Sequence, residues 1–399
     1  METWLADIAV TVNEARYAAK HVAKWARRRY RLLEWNQLPG RAWIEYEPYG
    51  TVLVVGSWNF PFQLTLAPAV GAIAAGNVVV VKPSELAPAS SRLMADLARQ
   101  YLDPEAIVVM AGDGALTQSL IGQGLDRIMF TGGGGIGRKI LTSAAEHLTP
   151  VSLELGGKCP VVVADDADIE IAAKRIAWIK LMNSGQICIA PDYVLVHSAV
   201  QDRLIAELQR CISRFQSGRI TGMPIANERQ FDRLVQCLGA TKGTVVMGGS
   251  ADSERMEIEP TIVLDPDPDE PMMTDEIFGP ILPVLTVDSL DDAINFIRRR
   301  PKPLAAYLFT RSASVRDRFV RRVPSGGMVI NQLLMHVATS KMPFGGVGAS
   351  GMGAYHGKFG FEEFSHRKTV LTKPTRPDIT SMFYPPYTDR RTRLVRRMT

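Results

Sequence analysis

Residues 51–85 read TVLVVGSWNFPFQLTLAPAVGAIAAGNVVVVKPSE, and residues 127–137 read RIMFTGGGGIG. The apolar runs at 52–55 and 78–81 are too short for helices and show no polar alternation, so both their faces must be buried. Between them, 64–75 is an apolar stretch of helical length. The alternation continues with strands at 107–110, 128–130 and 151–153 and helices at 89–101 and 136–147. Short buried strands separated by helices, with Gly and Pro at the joints, predict a parallel sheet covered by helices on both faces. The pattern resumes after Gly156, with strands at 161–163 and 194–196 and helices at 169–182 and 201–215.

Outside this alternation, the first 31 residues read as an amphipathic helix. Leu5, Ile8, Val12 and Ala15 share one face, and Arg16, Lys20, Lys24 and Arg28 form a basic stripe at four-residue spacing. The segment WIEYEP at 43–48 alternates as a strand or arm, and DPDPDEP at 265–271 reads as a loop. The 399 residues are 46% hydrophobic and 22% charged, ordinary for a globular protein and enough for two or three domains. No apolar run has membrane-spanning length. The acidic start METWLADIAVTVNEARY lacks the basic region of a signal peptide, so a cytoplasmic location is expected. Cys159, Cys188, Cys211 and Cys237 are dispersed without a CxxC, which argues against a disulfide framework or a metal site. The net charge of +5 is a property of the tail: residues 366–399 carry +7 and the rest of the chain −2. No aromatic interleaving accompanies those charges. The stretch 381–399, with Arg390, Arg391, Arg393, Arg396 and Arg397, reads as a solvated basic tail, and no nucleic-acid partner is expected.

Five stretches carry residues suited to chemistry. Gly132-Gly-Gly-Gly-Ile-Gly137 follows a strand and opens a helix, which lets backbone N–H groups reach a pyrophosphate. A tight turn with close helix–strand packing fits the same glycines. Glu154 stands where a Rossmann site places its ribose-binding acid. Cys188 lies in NSGQICIAPDY at 183–193, where Gly185, Gln186 and Pro191 predict irregular backbone between a helix and a strand. A buried, inert thiol is the competing reading, and catalysis would need stabilisation of the thiolate. Lys82 and Glu85, in KPSE at a strand's carboxyl end, either hold two ribose hydroxyls or form a surface ion pair. Asn59, in GSWNFPF at 56–62, is a turn residue or an amide donor. Glu276 and Phe278, in EIFGP at 276–280, alone make a turn with a packed ring.

Taken together, WNFPF (58–62), GAIAAGN (71–77), KPSE (82–85), HLTPVSLELGGK (147–158), NSGQICIAPDY (183–193), EIFGPILP (276–283) and MPFGGVGASGMGAYHGKFGFEEFSH (342–366) resemble the aldehyde dehydrogenase superfamily. Their order and spacing match the family from about residue 2 to 397, and HLTPV, CIAPDY and GMGAYHGK point to its class 3 branch. The resemblance implies an aldehyde dehydrogenase-like α/β fold. It would have a Rossmann-type cofactor domain over 1–155, rejoined by about 345–365, and an α/β catalytic domain over 156–344. An oligomerisation arm at about 40–50 and 366–380 would make a homodimer. It implies oxidation of an aldehyde to the carboxylic acid with NAD or NADP. Carried over residue by residue, Cys188 is the nucleophile and Glu154 the general base rather than a ribose ligand. Asn59 is the side-chain donor to the oxyanion, and Lys82 and Glu85 contact the adenosine ribose. Glu276 and Phe278 place the nicotinamide ribose and ring, and the turn from Gly132 to Gly137 lies beside the pyrophosphate.

Further expectations follow. Phe60, Gln63 and Met182 line a substrate tunnel suited to medium-chain aliphatic or aromatic aldehydes. His336 and His356 are structural. A non-catalytic protein retaining the fold, and a coenzyme A-dependent acylating dehydrogenase, are the alternatives. Class 3 members usually begin some 50 residues earlier, so marginal stability or dependence on a dimer partner is expected. Gly133, Gly134 and Gly135 replace the family's Ser or Thr and small residues, which makes that turn looser.

Overall fold

The computed structural model describes residues 1–216 and 223–398. Strands Thr51–Val55, Val78–Lys82 and Ile107–Val109 lie side by side. The chain then crosses to the other side of the first strand for Arg127–Gly132 and Val151–Leu155. All five are parallel. Val52, Leu53 and Val54 are buried on both faces of the central strand, as an uninterrupted apolar run favours, and Val79 and Val81 bury one face of the strand beside it while Val78 is 40% exposed. Helices Gln63–Ala74, Pro88–Tyr101 and Gly134–Ala145 connect the strands. Strand order reverses between Thr51–Val55 and Arg127–Gly132, so the loops leaving their carboxyl ends part and open a crevice. A short strand, Gly351–Met352, closes one edge antiparallel, with Gly351 opposite Glu154.

A second sheet holds seven strands in the order Thr244–Met247, Thr261–Leu264, Ile281–Val287, Tyr193–His197, Pro160–Val163, Ala305–Phe309 and Gly327–Ile330. Only the first of these is antiparallel to its neighbour. A third, antiparallel sheet pairs Arg41–Pro48 with Arg29–Arg31 on one side and with Ser365–Thr372 on the other. The fold is therefore α/β, with a Rossmann-type parallel sheet beside a second α/β sheet. Most strand bounds differ from the sequence reading by one or two residues. One difference matters: the fifth strand runs to Leu155, so Glu154 sits on it rather than beyond it.

The N-terminal segment departs from the amphipathic reading. It forms a π-helical turn, Trp4–Ile8, and an α-helix, Ala9–Trp25, and then leaves for the third sheet at Arg29–Arg31. The buried face is Asp7, Thr11, Glu14, Ala18 and Trp25, whereas Leu5 is 50% and Val12 38% exposed. The surface beneath offers backbone N–H groups: Asp7 accepts from Gln63 and Glu14 from Gly357. Acids with such donors tolerate burial, and apolar periodicity alone does not register them.

Candidate active site

The crevice at the strand reversal is a cavity of about 1040 Å³. Lys82, Glu85 and Gly132 line it from the first sheet, and Asn59, Glu154, Cys188, Glu276 and Phe278 converge from both sides. Gly137 does not border it; a Cβ there would lie 2.8 Å from Leu155 Cδ2, so its small size serves helix–strand packing. Phe60, Gln63 and Met182 do not border this cavity either. His336 is buried against Tyr307 and Phe344, and His356 stacks on Tyr355.

Cys188 follows an abrupt helix end. Helix Ile169–Leu181 gives way to a tight turn in which Asn183, Ser184 and Gly185 have φ of 48°, 51° and 72°. Consecutive left-handed residues are costly for side chains bearing a Cβ, and hydrogen bonds hold them. Asn183 Nδ2 donates to the Asn59 and Gln186 carbonyls, both at 3.2 Å, and Ser184 Oγ to the Met223 carbonyl at 2.5 Å. Gln186 Nε2 donates to the Pro224 carbonyl at 3.2 Å. A Cβ on Gly185 would meet the Gly279 carbonyl oxygen at 2.3 Å, so the loops carrying Cys188 and Phe278 touch there. Gly185→Ala would add about 1–2 kcal/mol of backbone strain and part the loops. Its expected result is a lower Tm and a fall in turnover larger than any loss of nucleotide binding, read by thermal melting and steady-state kinetics.

Asn59 Nδ2 donates one hydrogen to the Gln186 carbonyl at 3.1 Å, which fixes the amide and leaves its second hydrogen for the cavity. At Cys188, burial pushes the thiol up, and the carboxylates of Glu276 and Glu154 add to this. The backbone N–H groups of Cys188 and Ile189 hydrogen-bond to the sulfur and oppose the rise. The resting group is a thiol, so forming the nucleophile requires a base. Burial, then the Glu363 carboxylate, raises Glu154 well above the usual carboxylate range, and its Oε2 has no protein hydrogen-bond partner. Burial first, then Asp192, pushes Glu276 up to about 8, against the Gly157 N–H and the charges of Lys158 and Arg233. Glu276 has room because residue 156 is glycine; a Cβ there would meet its Oε2 at 1.9 Å.

The donor set fits a nicotinamide dinucleotide. Lys82 Nζ and Glu85 Oε2 pair at 2.5 Å in the cavity wall, a donor and an acceptor side by side for vicinal hydroxyls. Helix Gly134–Ala145 starts at the cavity without a side-chain cap, leaving its first N–H groups for an anion. Cβ atoms on Gly133 and Gly135 would meet only open space. Buried Thr131 Oγ1 and Glu154 Oε2, both on cavity-lining residues, lack protein partners.

Sequence reasoning gave Lys158 and Asp192 no role. Lys158 Nζ pairs with Asp192 and donates to the carbonyls of Met272 and Asp275, both at 2.8 Å. Asp192 Oδ1 also accepts from Ile277 N at 2.9 Å. Together they fasten the Glu276 loop to the segment after Cys188. Their signal was a Lys and an Asp placed among buried strands, where charges survive only in pairs. Cys159 lies beneath the same loop and donates to the Cys188 carbonyl at 3.4 Å.

Comparison with known proteins agrees with this geometry. A model of the aldehyde dehydrogenase family matches residues 1–370. Aldehyde dehydrogenase family 3 member H1 of Arabidopsis thaliana is 43% identical, with 99% of this chain and 83% of that protein covered. The 4,4'-diaponeurosporen-aldehyde dehydrogenase of Staphylococcus aureus is 41% identical, with 97% and 85% covered. The substrate-bound structure of Staphylococcus aureus AldH superposes with a TM-score of 0.95 at 40% identity, covering 100% of this chain and 88% of that one. The chain belongs to the aldehyde dehydrogenase family and is an NAD(P)-dependent, aldehyde-oxidising enzyme.

Proposed function

We propose that the oxidation runs through Cys188 as nucleophile, Asn59 as oxyanion donor and Glu154 as general base. The observation supporting this most directly is that all three border one cavity, with the Lys82–Glu85 pair in the same wall. The Cys188 sulfur bonds to the aldehyde carbon as its S–H proton passes to solvent water in the cavity, which leaves Glu154 free for the later step. The carbonyl oxygen becomes an oxyanion, for which the free amide hydrogen of Asn59 and the Cys188 N–H are the donors; one such donor is worth roughly 3 kcal/mol. Collapse of the oxyanion would break the aldehydic C–H bond, for which bound NAD(P)+ would supply the hydride acceptor. The thioester left on Cys188 is cleaved by a water whose proton Glu154 accepts, releasing the carboxylic acid and the thiol. Lys82 and Glu85 would hold the adenosine ribose, the Gly132 turn the pyrophosphate, and Glu276 and Phe278 the nicotinamide ribose and ring. An assay of NADH and NADPH formation over a panel of aldehydes tests the whole reading.

NAD is the preferred nucleotide in this reading, because a carboxylate at Glu85 accepts from a 2′-hydroxyl and repels a 2′-phosphate. Glu85→Gln should lower the ratio of kcat/KM for NAD over NADP about tenfold, the value of a hydrogen bond to a charged group. An unchanged ratio places the ribose elsewhere. Trp58, whose ring lies 5.5 Å from that of Phe278, lines the cavity and favours medium-chain aliphatic or aromatic aldehydes. The third sheet, built from Arg29–Arg31, Arg41–Pro48 and Ser365–Thr372, is the element we assign to a homodimer, testable by light scattering. Four free cysteines favour the reducing cytoplasm.

A further inference from the structure

We infer that Asp7 and Glu2, on the N-terminal turn, are positioning residues that hold the two catalytic loops in register. The inference rests on the roles given above to Asn59 and Cys188. Helix Gln63–Ala74 begins four residues after Asn59, and its N-cap, Phe62, supplies no side-chain acceptor. The first N–H groups of a helix need partners, and here they come from a distant segment. Asp7 Oδ1 accepts from Gln63 N at 2.6 Å, and the Phe62 N–H also bonds to this carboxyl. Glu2 Oε2 accepts from Asn183 N at 3.1 Å, at the first left-handed residue of the nucleophile loop. The two acids are five residues apart, Asp7 within the π-helical turn and Glu2 before its start, and five-residue spacing sets side chains on one side of such a turn.

One carboxylate therefore holds the loop of Asn59 and the other the loop of Cys188. Between those loops, Asn183 Nδ2 reaches the Asn59 carbonyl and Asn59 Nδ2 reaches the Gln186 carbonyl. The result is a closed ring of contacts around the oxyanion donor. Small displacements of such a donor cost large factors in rate.

Asp7 also makes the device sensitive to pH. Burial raises its pKa to about 6, partly offset by the Gln63 and Phe62 N–H groups. Glu2 is the other acid of its turn. Segment 59–62, helix Gln63–Ala74 and loop 183–186 carry no titratable side chain. On helix Ala9–Trp25 the next acid, Glu14, faces Ser340, Gly357 and His356. The folded pKa lies above the unfolded one, so this group favours folding at low pH, and that contribution is lost as pH rises through about 6. Near neutrality the carboxylate costs stability while it positions the loop. An amide is an incomplete substitute, because it accepts through one oxygen where a carboxylate offers two.

The test compares Asp7→Asn, Asp7→Ala and Glu2→Gln in the full chain with wild type and with Cys188→Ala, by kcat, KM, pH profile and Tm. Asp7→Ala should lower kcat about tenfold and leave the KM for nucleotide within about twofold. Asp7→Asn should lose less, remove from the acid limb of kcat the step centred near pH 6 that Asp7 is expected to contribute while leaving the Glu154 limb in place, and melt no lower than wild type near pH 8. Wild-type kcat in Asp7→Asn and Glu2→Gln would overturn the inference. So would a parallel loss of kcat and Tm at every pH, the mark of a merely structural contact. If Asp7→Ala fails to fold, the two conservative variants decide. Turnover by Cys188→Ala would instead defeat the nucleophile assignment.

Discussion

Cys188→Ala binds the nucleotide with unchanged affinity and forms no NADH from any aldehyde. This is the expected result of removing the sulfur without disturbing the loop. The turn before Cys188 is held by Asn183, Ser184 and Gln186, not by the thiol. Alanine therefore leaves the Asn59 amide in place, and the loss falls on kcat. Removing a covalent nucleophile typically costs a factor on the order of 10⁴ or more. Iodoacetamide should label Cys188 before the other cysteines. Of the four cysteines Cys188 alone borders the cavity, whereas Cys159 is sealed beneath the loop and Cys211 is buried elsewhere in the core. Replacing any of the other three by alanine should change stability at most. Turnover near wild type in Cys188→Ala ends the mechanism.

Glu154→Gln separates the two halves of the reaction. The variant should release about one equivalent of NADH per site in a burst and then turn over slowly, because thioester formation outlasts the loss of the base that activates water. Burial and the Glu363 carboxylate hold Glu154 above the usual carboxylate range. The base form is therefore gained only as pH rises, and wild-type deacylation should climb through neutral pH where the variant stays flat. If Glu154 were a ribose ligand, the variant would mainly raise the KM for nucleotide and show no burst. The register argues against that position, since Lys82 and Glu85 pair at a different part of the wall.

Much of this was legible in the sequence. The runs VLVV and VVVV read correctly as strands of a parallel sheet, but the strand order, and with it the crevice at the reversal, depends on long-range pairing that the runs do not encode. The irregular backbone before Cys188 followed from Gly185 and Gln186. The face of the N-terminal helix was not legible. Leu5, Val12 and Ala15 suggested an apolar stripe, but which face is buried depends on what the rest of the chain offers, and the partner surface here offers N–H groups rather than a greasy groove. Lys158 and Asp192 escaped for a related reason. Each stands in a quoted motif, yet their pairing spans 34 residues and appears only once strands Pro160–Val163 and Tyr193–His197 lie side by side in the second sheet. Gly137 shows the opposite limit: the GxGxxG pattern groups it with the pyrophosphate turn, while its contacts are with Leu155 and Leu153.

The most direct test of the covalent account is intact-protein and peptide mass spectrometry of Glu154→Gln, quenched in acid soon after mixing with NAD and an aldehyde. The account predicts an added mass equal to the acyl group, on the peptide containing Cys188 and on no other, removed by hydroxylamine. An enzyme that has completed its burst of NADH without that adduct, or that carries it on Cys159, Cys211 or Cys237, contradicts the assignment of Cys188.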